Sequence, residues 1–312
     1  MKKLVILTSV LLCSSLTSET AFAQAVPDFE GSIIQGNQID EAIRGQELLD
    51  SQVRKDDNEV DGEAGIYVLR KNEIFYVGAS ASLGYSQNPL RTIDDVGGSF
   101  STNLAGTAGV QTKIAETIDL GFQTTVSGTE YFEDFAPSSR NINTSLTLGA
   151  PIGKTPLYVN GSIFGGYNFD QSFENGTAFY GGSLTVAAGF LLGKKTVIRP
   201  GVGVTRQWSG SSENNSTAAS VSVNVFHSLT PKISLGANAR VTRTWFDNFF
   251  EDVTFVPRKD WQYGGGLSVN YQLNRNIRFS AGGGYESRDS SFFLSEFRSF
   301  DASLLVSARI RF

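Results

Sequence analysis

Cysteine, methionine and histidine occur once each in 312 residues, and proline only eight times. The single cysteine, Cys13, lies inside "MKKLVILTSVLLCSSLTSETAFAQA". There Lys2 and Lys3 precede an apolar core from Leu4 to Leu12, and Ala21-Phe22-Ala23 precedes Gln24. That order predicts a secretory signal peptide over 1–23, cleaved after Ala23. A lipoprotein signal would place a small residue before the cysteine, and Leu12 is large. Cleavage removes the only thiol, which excludes disulfides, thiolate metal sites and cysteine nucleophiles from the mature chain. No apolar run reaches about 18 residues, so no helix is expected to span a membrane.

Alternation is what the sequence has in abundance. Segments 73–86, 98–114, 118–132, 139–150, 156–169, 177–191, 195–208, 216–228, 232–246, 258–272, 277–288 and 299–312 read as strands. Each is at least as long as the roughly 9–11 residues a tilted strand needs to cross a bilayer. Strands of soluble sheets usually stop at about 5–6. In 98–114 one face carries Phe100, Leu104, Ala108, Val110 and Ile114, and the other Ser99, Ser101, Asn103, Thr107 and Gln111. Segments 139–150 and 277–288 repeat the pattern, with Ile142, Leu146 and Leu148 against asparagine, serine and threonine, and Ile277, Phe279 and Ala281 against Arg278, Ser280 and Gly282. An apolar face opposed by a small, polar, glycine-rich one suits a sheet with lipid outside and a lumen inside. Only a closed sheet pairs all its backbone groups in hydrocarbon.

The connections alternate as well. Short ones follow Ile114 and occupy 151–155, 192–194, 229–231 and 273–276; longer ones occupy 87–97, 133–138, 170–176, 209–215, 247–257 and 289–298. This predicts an all-β fold over 66–312, an antiparallel transmembrane β-barrel of about 12 strands with short periplasmic turns and longer extracellular loops. Aromatic residues gather beside the long connections, among them Tyr131, Phe132, Tyr167, Phe169, Trp208, Trp245, Phe246, Trp261, Phe292 and Phe297. Such rings are expected at the headgroup boundary.

The chain closes on "FDASLLVSARIRF", in which Phe312, Ile310, Ala308, Val306 and Leu304 share one parity. A terminal alternating strand ending in phenylalanine resembles the signal read by the outer-membrane barrel-assembly machinery. The same strand must pair with the first one to remove both sheet edges.

Charge divides the chain in two. Residues 24–65 hold eleven acids and three bases, whereas 66–312 hold 21 bases and 19 acids. Within the acidic part, Ile39, Ile43, Leu49 and Val53 are loosely spaced as on a helix. It reads either as a disordered periplasmic lead-in with one marginal helix or as a partial plug. Inward parity near the short turns places Lys113, Lys195, Arg199, Arg278, Arg309 and Arg311 at the inner mouth against Asp119, with Arg240, Glu286 and Asp301 also among the lumen charges. A basic mouth beside an acidic tether is the basis of the plug reading.

Catalytic chemistry is thin. His227 stands at the end of a strand, and the adjacent Ser228 points to the opposite face, out of reach as a nucleophile for that base. The acid pair Glu251 and Asp252 lies in a long loop, where solvation suffices to explain it. The glycine triplets at 264–266 and 282–284 lie inside strands, with neither the lysine nor the helix of a phosphate loop, and are expected to let the sheet bend or to open lumen space. No metal or cofactor is expected, and nothing points to nucleic acid.

The segments "YSQNPLRT" and "RKDWQYGGGLSVNYQLNRNIRFSAGGGYESRDSS", leading to "ARIRF", resemble the β-barrel porin 2 family of Gram-negative bacteria over roughly 66–312. The resemblance implies an outer-membrane location, in contact with outer-membrane lipid and lipopolysaccharide, and for some members an association with polysaccharide-export systems. It carries over no site residue, because that family has no defined site. Three functions are expected in descending order: a narrow passive channel for small solutes with mild anion preference, a non-conducting anchor or partner of envelope machinery, and a lipid-active enzyme such as the twelve-stranded outer-membrane phospholipase. Inward Phe164, Phe226 and Leu305 are expected to favour a filled barrel.

Overall fold

The computed structural model describes residues 75–312 except 92–96, 116–117, 134–135, 137, 154, 171–175, 194, 211–213, 248–256 and 293–294. The acidic extension and the leader lie outside the described residues, as does the plug reading that depends on the extension. Among the described residues there is no α-helix, and no helix long and apolar enough to cross a membrane. The strands are β1 Phe75–Ser86, β2 Ser99–Ala115, β3 Ile118–Tyr131, β4 Ser139–Pro151, β5 Leu157–Asp170, β6 Gly176–Ala188, β7 Phe190–Leu192, β8 Thr196–Ser209, β9 Ser216–Thr230, β10 Ile233–Phe246, β11 Lys259–Gln272, β12 Ile277–Ser290 and β13 Phe297–Arg311. Every strand pairs antiparallel with its sequence neighbour apart from the break between β6 and β7, and β1 also pairs with β13, so the sheet closes.

The thirteen strands make twelve staves. β6 and β7 hold one continuous register against β8, with Val186 opposite Val202 and Phe190 opposite Ile198. Pro200 explains the break between them. Gly210 N–H donates to Ala178 O, so even-numbered positions of β8 face β6. The donor that Pro200 lacks therefore points at Ala188, and the ladder loses one bond there. The predicted single strand 177–191 is thus one stave with a gap.

Side-chain parity carries around the ring, because directly paired residues share a face, with register shifts only beside two short turns, at Lys113/Ala115 and Ile233/Ser234. On the outer face Leu267 is 72% exposed, Leu104 66% and Ile163 63%. A continuous belt of exposed aliphatic side chains would be untenable in water and is what lipid requires. Connections at one end run two to five residues, and those at the other five to twelve. Two of the tight turns use glycine with positive φ, Gly153 at 59° and Gly193 at 69°, a conformation that side chains with a Cβ resist.

Rings band the outer face at both ends. Tyr85 meets Phe100 at 5.2 Å, and Tyr180 stacks on Trp208 at 5.4 Å, at the long-loop end. Phe75 stacks on Phe312 at 6.4 Å at the other. Three aromatic residues expected in the outer band face the lumen instead: Tyr131 shares the inward parity of Ser101, Phe246 that of Ser216, and Phe297 that of Arg288. Phe297 is 3% exposed.

Closure ends on the chain terminus. Phe75 N–H donates to Phe312 O at 3.1 Å, Phe312 N–H donates to Phe75 O at 3.0 Å, and Ile310, Ala308, Val306 and Leu304 lie opposite Val77, Ala79, Ala81 and Leu83 on the lipid face. Removing Phe312 deletes both bonds and the ring stack. The truncated barrel should unfold more easily by about 1–3 kcal/mol, measured by urea titration of the heat-modifiable band on gels.

Candidate functional site

Register defines the inner wall. Its middle band is built from Ser80, Ser82, Thr107, Ser145, Ser162, Ser183, Ser222, Asn238 and Ser303, with Gly203, Gly266 and Gly284 between them. Hydroxyls bridge neighbouring strands, Thr107 to Thr125 at 3.1 Å and Ser162 to Ser183 at 2.7 Å. The Ser127 hydroxyl donates to Asn141 Oδ1 at 2.6 Å and that of Ser280 to Asn270 Oδ1 at 2.7 Å. Asn143 Oδ1 and Asn160 Oδ1 have no hydrogen-bond partner among the described residues. A polar oxygen in that state is suited to water or a polar solute.

Four of the inward rings lie against the wall. A Cβ at Gly181 would fall 2.6 Å from Phe164 Cζ, one at Gly166 2.8 Å from Phe179 Cζ, one at Gly109 2.5 Å from Tyr76 Cζ and one at Gly149 2.1 Å from Tyr158 Oη. Each ring lies on the bare backbone of a glycine in the adjacent strand, the arrangement by which aromatic residues cover sheet glycines. Phe226 differs: a Cβ at Gly236 would meet its ring only at an ordinary 3.8 Å and would strike Ser268 Oγ first, at 2.5 Å. Phe164, expected to favour a filled barrel, points inward but lies against the wall, in the space that a side chain at Gly181 would have taken; Phe226 points inward as expected. Leu305 does point inward, between Ser82 and Ser280.

The long-loop end carries a charge cluster on β11, β12 and β13. Asp260, 3% exposed, accepts from Arg258 Nε at 3.0 Å and from the Ser290 hydroxyl at 2.6 Å, and lies 3.7 Å from Arg288 Nε. Glu286 accepts from Gln262 and from Arg91, whose second nitrogen lies 4.0 Å from Asp301. Arg91 comes from the loop after β1 and sits at φ 51°, a left-handed position that a non-glycine residue adopts at a cost. Asn88 anchors that loop: its N–H donates to Ser299 Oγ at 3.3 Å and its side-chain nitrogen to Arg298 O at 3.4 Å. Phe297 is flanked by two guanidinium groups, Arg288 at 4.9 Å and Arg91 at 5.3 Å. Three arginines and three carboxylates thus share one inner wall.

The short-turn end is basic. Lys113 lies 3.3 Å from Asp119, which also accepts from Tyr158 Oη at 2.7 Å. Arg309 stacks over Tyr76 at 4.7 Å, Arg311 is directly opposite Tyr76, and Arg278 donates to Gln272 at 3.1 Å. Across the barrel Arg199 faces inward opposite Asn224, and Lys195 ends the turn into β8. Arg240 stands near mid-height between Ser222 and Gly264. Glu286 and Asp301 face the lumen too, but they belong to the long-loop cluster and not to the basic mouth.

Asp260 and Arg288 escaped the sequence reading although strand parity already turned them inward. Arg91 had no such signal, since it lies in a connection; Arg258, at the start of the predicted strand 258–272, shared the parity of Asp260 but falls just before β11. His227 faces outward opposite Leu235, and its Nδ1 is 2.8 Å from Thr196 Oγ1.

No family model and no curated protein sequence matches the chain, so the β-barrel porin 2 resemblance gains no support there. Solved structures do match. The COG4313 outer membrane channel from Pseudomonas putida F1 aligns with a TM-score of 0.53 at 12% identity, covering 81% of this chain and 100% of that one. The NanC porin aligns at 0.47 and 10% identity, over 74% and 100%. The translocator domain of autotransporter NalP from Neisseria meningitidis aligns at 0.43 and 12% identity, over 90% and 96%. At these identities the likeness is one of fold, that of outer-membrane β-barrels.

Replacing Gly181 by leucine should push the Phe164 ring off the wall and into the lumen. The variant is expected to fold with a loss of about 1–3 kcal/mol from overpacking, and to narrow the barrel's internal cross-section in a crystal structure.

Proposed function

We propose that the protein is an outer-membrane channel of a Gram-negative bacterium, passing small polar solutes by diffusion with a preference for anions. One observation carries this reading: four inward rings lie over glycines, so the middle of the wall presents mainly hydroxyl and amide groups, with Arg240 as its one charge. A hydrated solute crossing that band exchanges water for serine, threonine and asparagine contacts at little cost. The fold shared with outer-membrane barrels supports the location.

The two ends then divide the work. At the outer end each arginine is matched by a carboxylate, so that cluster sets clearance and hydrogen-bond geometry without strongly favouring either sign of charge. Arg91 narrows this end from its loop. At the inner end cations outnumber Asp119, and a one-signed mouth with low-dielectric walls raises the local concentration of anions. His227 faces outward opposite Leu235 and takes no part in lining the lumen.

Two measurements test the reading. In planar bilayers, discrete steps are expected both from the mature chain and from a version lacking 24–65, with larger steps from the latter if the acidic extension occupies the lumen. Silence from both, with a heat-modifiable barrel, would leave the anchor beside envelope or polysaccharide-export machinery. Under a salt gradient the reversal potential should report anion preference, and replacing Arg309 and Arg311 by glutamine should move it toward zero. Arg91→Ala should enlarge the steps and, by leaving Glu286 with one partner fewer, destabilise the barrel by about 1–3 kcal/mol.

A further inference from the structure

All three tryptophans of the chain face outward at the long-loop end. Trp208 lies one residue from the end of β8, Trp245 one from the end of β10, and Trp261 two from the start of β11. They share this face with Arg206, Arg243 and Lys259. Arg243 is directly opposite Trp261 and its guanidinium lies 4.8 Å from that ring; Lys259 is directly opposite Trp245. Two positions nearer the membrane centre, Val204 and Val241 are exposed and begin the apolar belt. The cations therefore stand at the boundary where hydrocarbon gives way to headgroups.

Their charges are unevenly matched. Arg206 is held by Asp247, and Arg140, on the far side of the rim, by Glu130. Arg243 and Lys259 form no ion pair among the described residues. By register Asp289 on β12 lies beyond Trp261 from Arg243 and diagonally across from Lys259, without pairing with either. A cation deeper in the bilayer would be strongly disfavoured. A cation pinned against an aromatic face at headgroup level is already oriented for an anionic group, with little left to order on binding.

We propose that the outward face formed by Arg243, Lys259, Trp245 and Trp261 binds a phosphorylated glycolipid headgroup of the outer leaflet, the bisphosphorylated disaccharide of lipid A. Guanidinium and ammonium together suit phosphate oxygens, and the indole rings suit the apolar faces of a sugar or the first acyl carbons. The proposal rests on the outer-membrane location and is independent of conduction.

Two of the three tryptophans of the chain lie in the site and the third in the same outward band, so intrinsic fluorescence reports on it. Full-length mature protein in detergent micelles is titrated with bisphosphorylated lipid A and with its phosphate-free form. The expected result is a saturable change with the first and none with the second. Arg243→Gln with Lys259→Gln should weaken binding by about tenfold or more, while Arg140→Gln should leave it unchanged. Indistinguishable titrations with the two lipids would overturn the proposal, as would equal affinity in the double variant. The wild-type comparison alone decides the matter should the variant fail to fold. If the protein shows no heat-modifiable barrel, the outer-membrane reading fails; if it does and the two titrations coincide, only the lipid site fails.

Discussion

Hydrocarbon offers backbone amides no partner, and the structure is organised around that constraint. Each strand must be bonded on both sides, so the first and last strands must find one another across the whole length of the sequence. Phe75 and Phe312 exchange two backbone bonds at the junction, and the ladder continues from there to Ser86 and Asp301. A missing donor is tolerated only where it is local, as at Pro200, because the register resumes beyond the gap. Closure also decides which residues meet, since it fixes the neighbour of every side chain.

That consequence governs the lumen. A ring in a strand gains a resting place only if the paired position is bare, and glycines opposite Phe164, Phe179 and Tyr76 provide it. Glycine in a strand is usually a weakness. Here it lets a barrel carry aromatic mass on its inner face while a polar middle band is kept. The same economy serves the long-loop end, where Phe297 and the Arg91 and Arg288 guanidinium groups share one volume, and Asp260, Glu286 and Asp301 balance the cations.

Electrostatics outside the membrane follow ordinary rules. Asp247, just beyond the end of β10, accepts hydrogen bonds from Arg206, which hold its carboxyl below the usual carboxylate range. A depressed pKa stabilises the folded state above the unfolded value and loses that contribution as pH falls through the folded one. The pair is partly exposed, so salt screens it and its effect is small.

Much of this was legible in the residue order. A period of two over a dozen long segments, with connections of alternating length, determined strands, faces and closure. The predicted limits differ from the observed ones by only a residue or two, because side-chain parity is a local property of an extended chain. Parity alone also turned Lys113, Arg199, Arg240, Arg278, Arg309, Arg311, Glu286 and Asp301 inward. It could not say that Phe164 lies flat, since that depends on which residue of another strand is glycine. Nor could it bring Arg91 from its loop onto Glu286, or set Arg243 over Trp261. Those contacts join residues 17 to 195 positions apart in the chain and exist only once register fixes the neighbours. The sequence by itself determined a barrel and its two faces; which side chains meet on each face was decided by strand pairing, since contact requires a partner that periodicity does not specify.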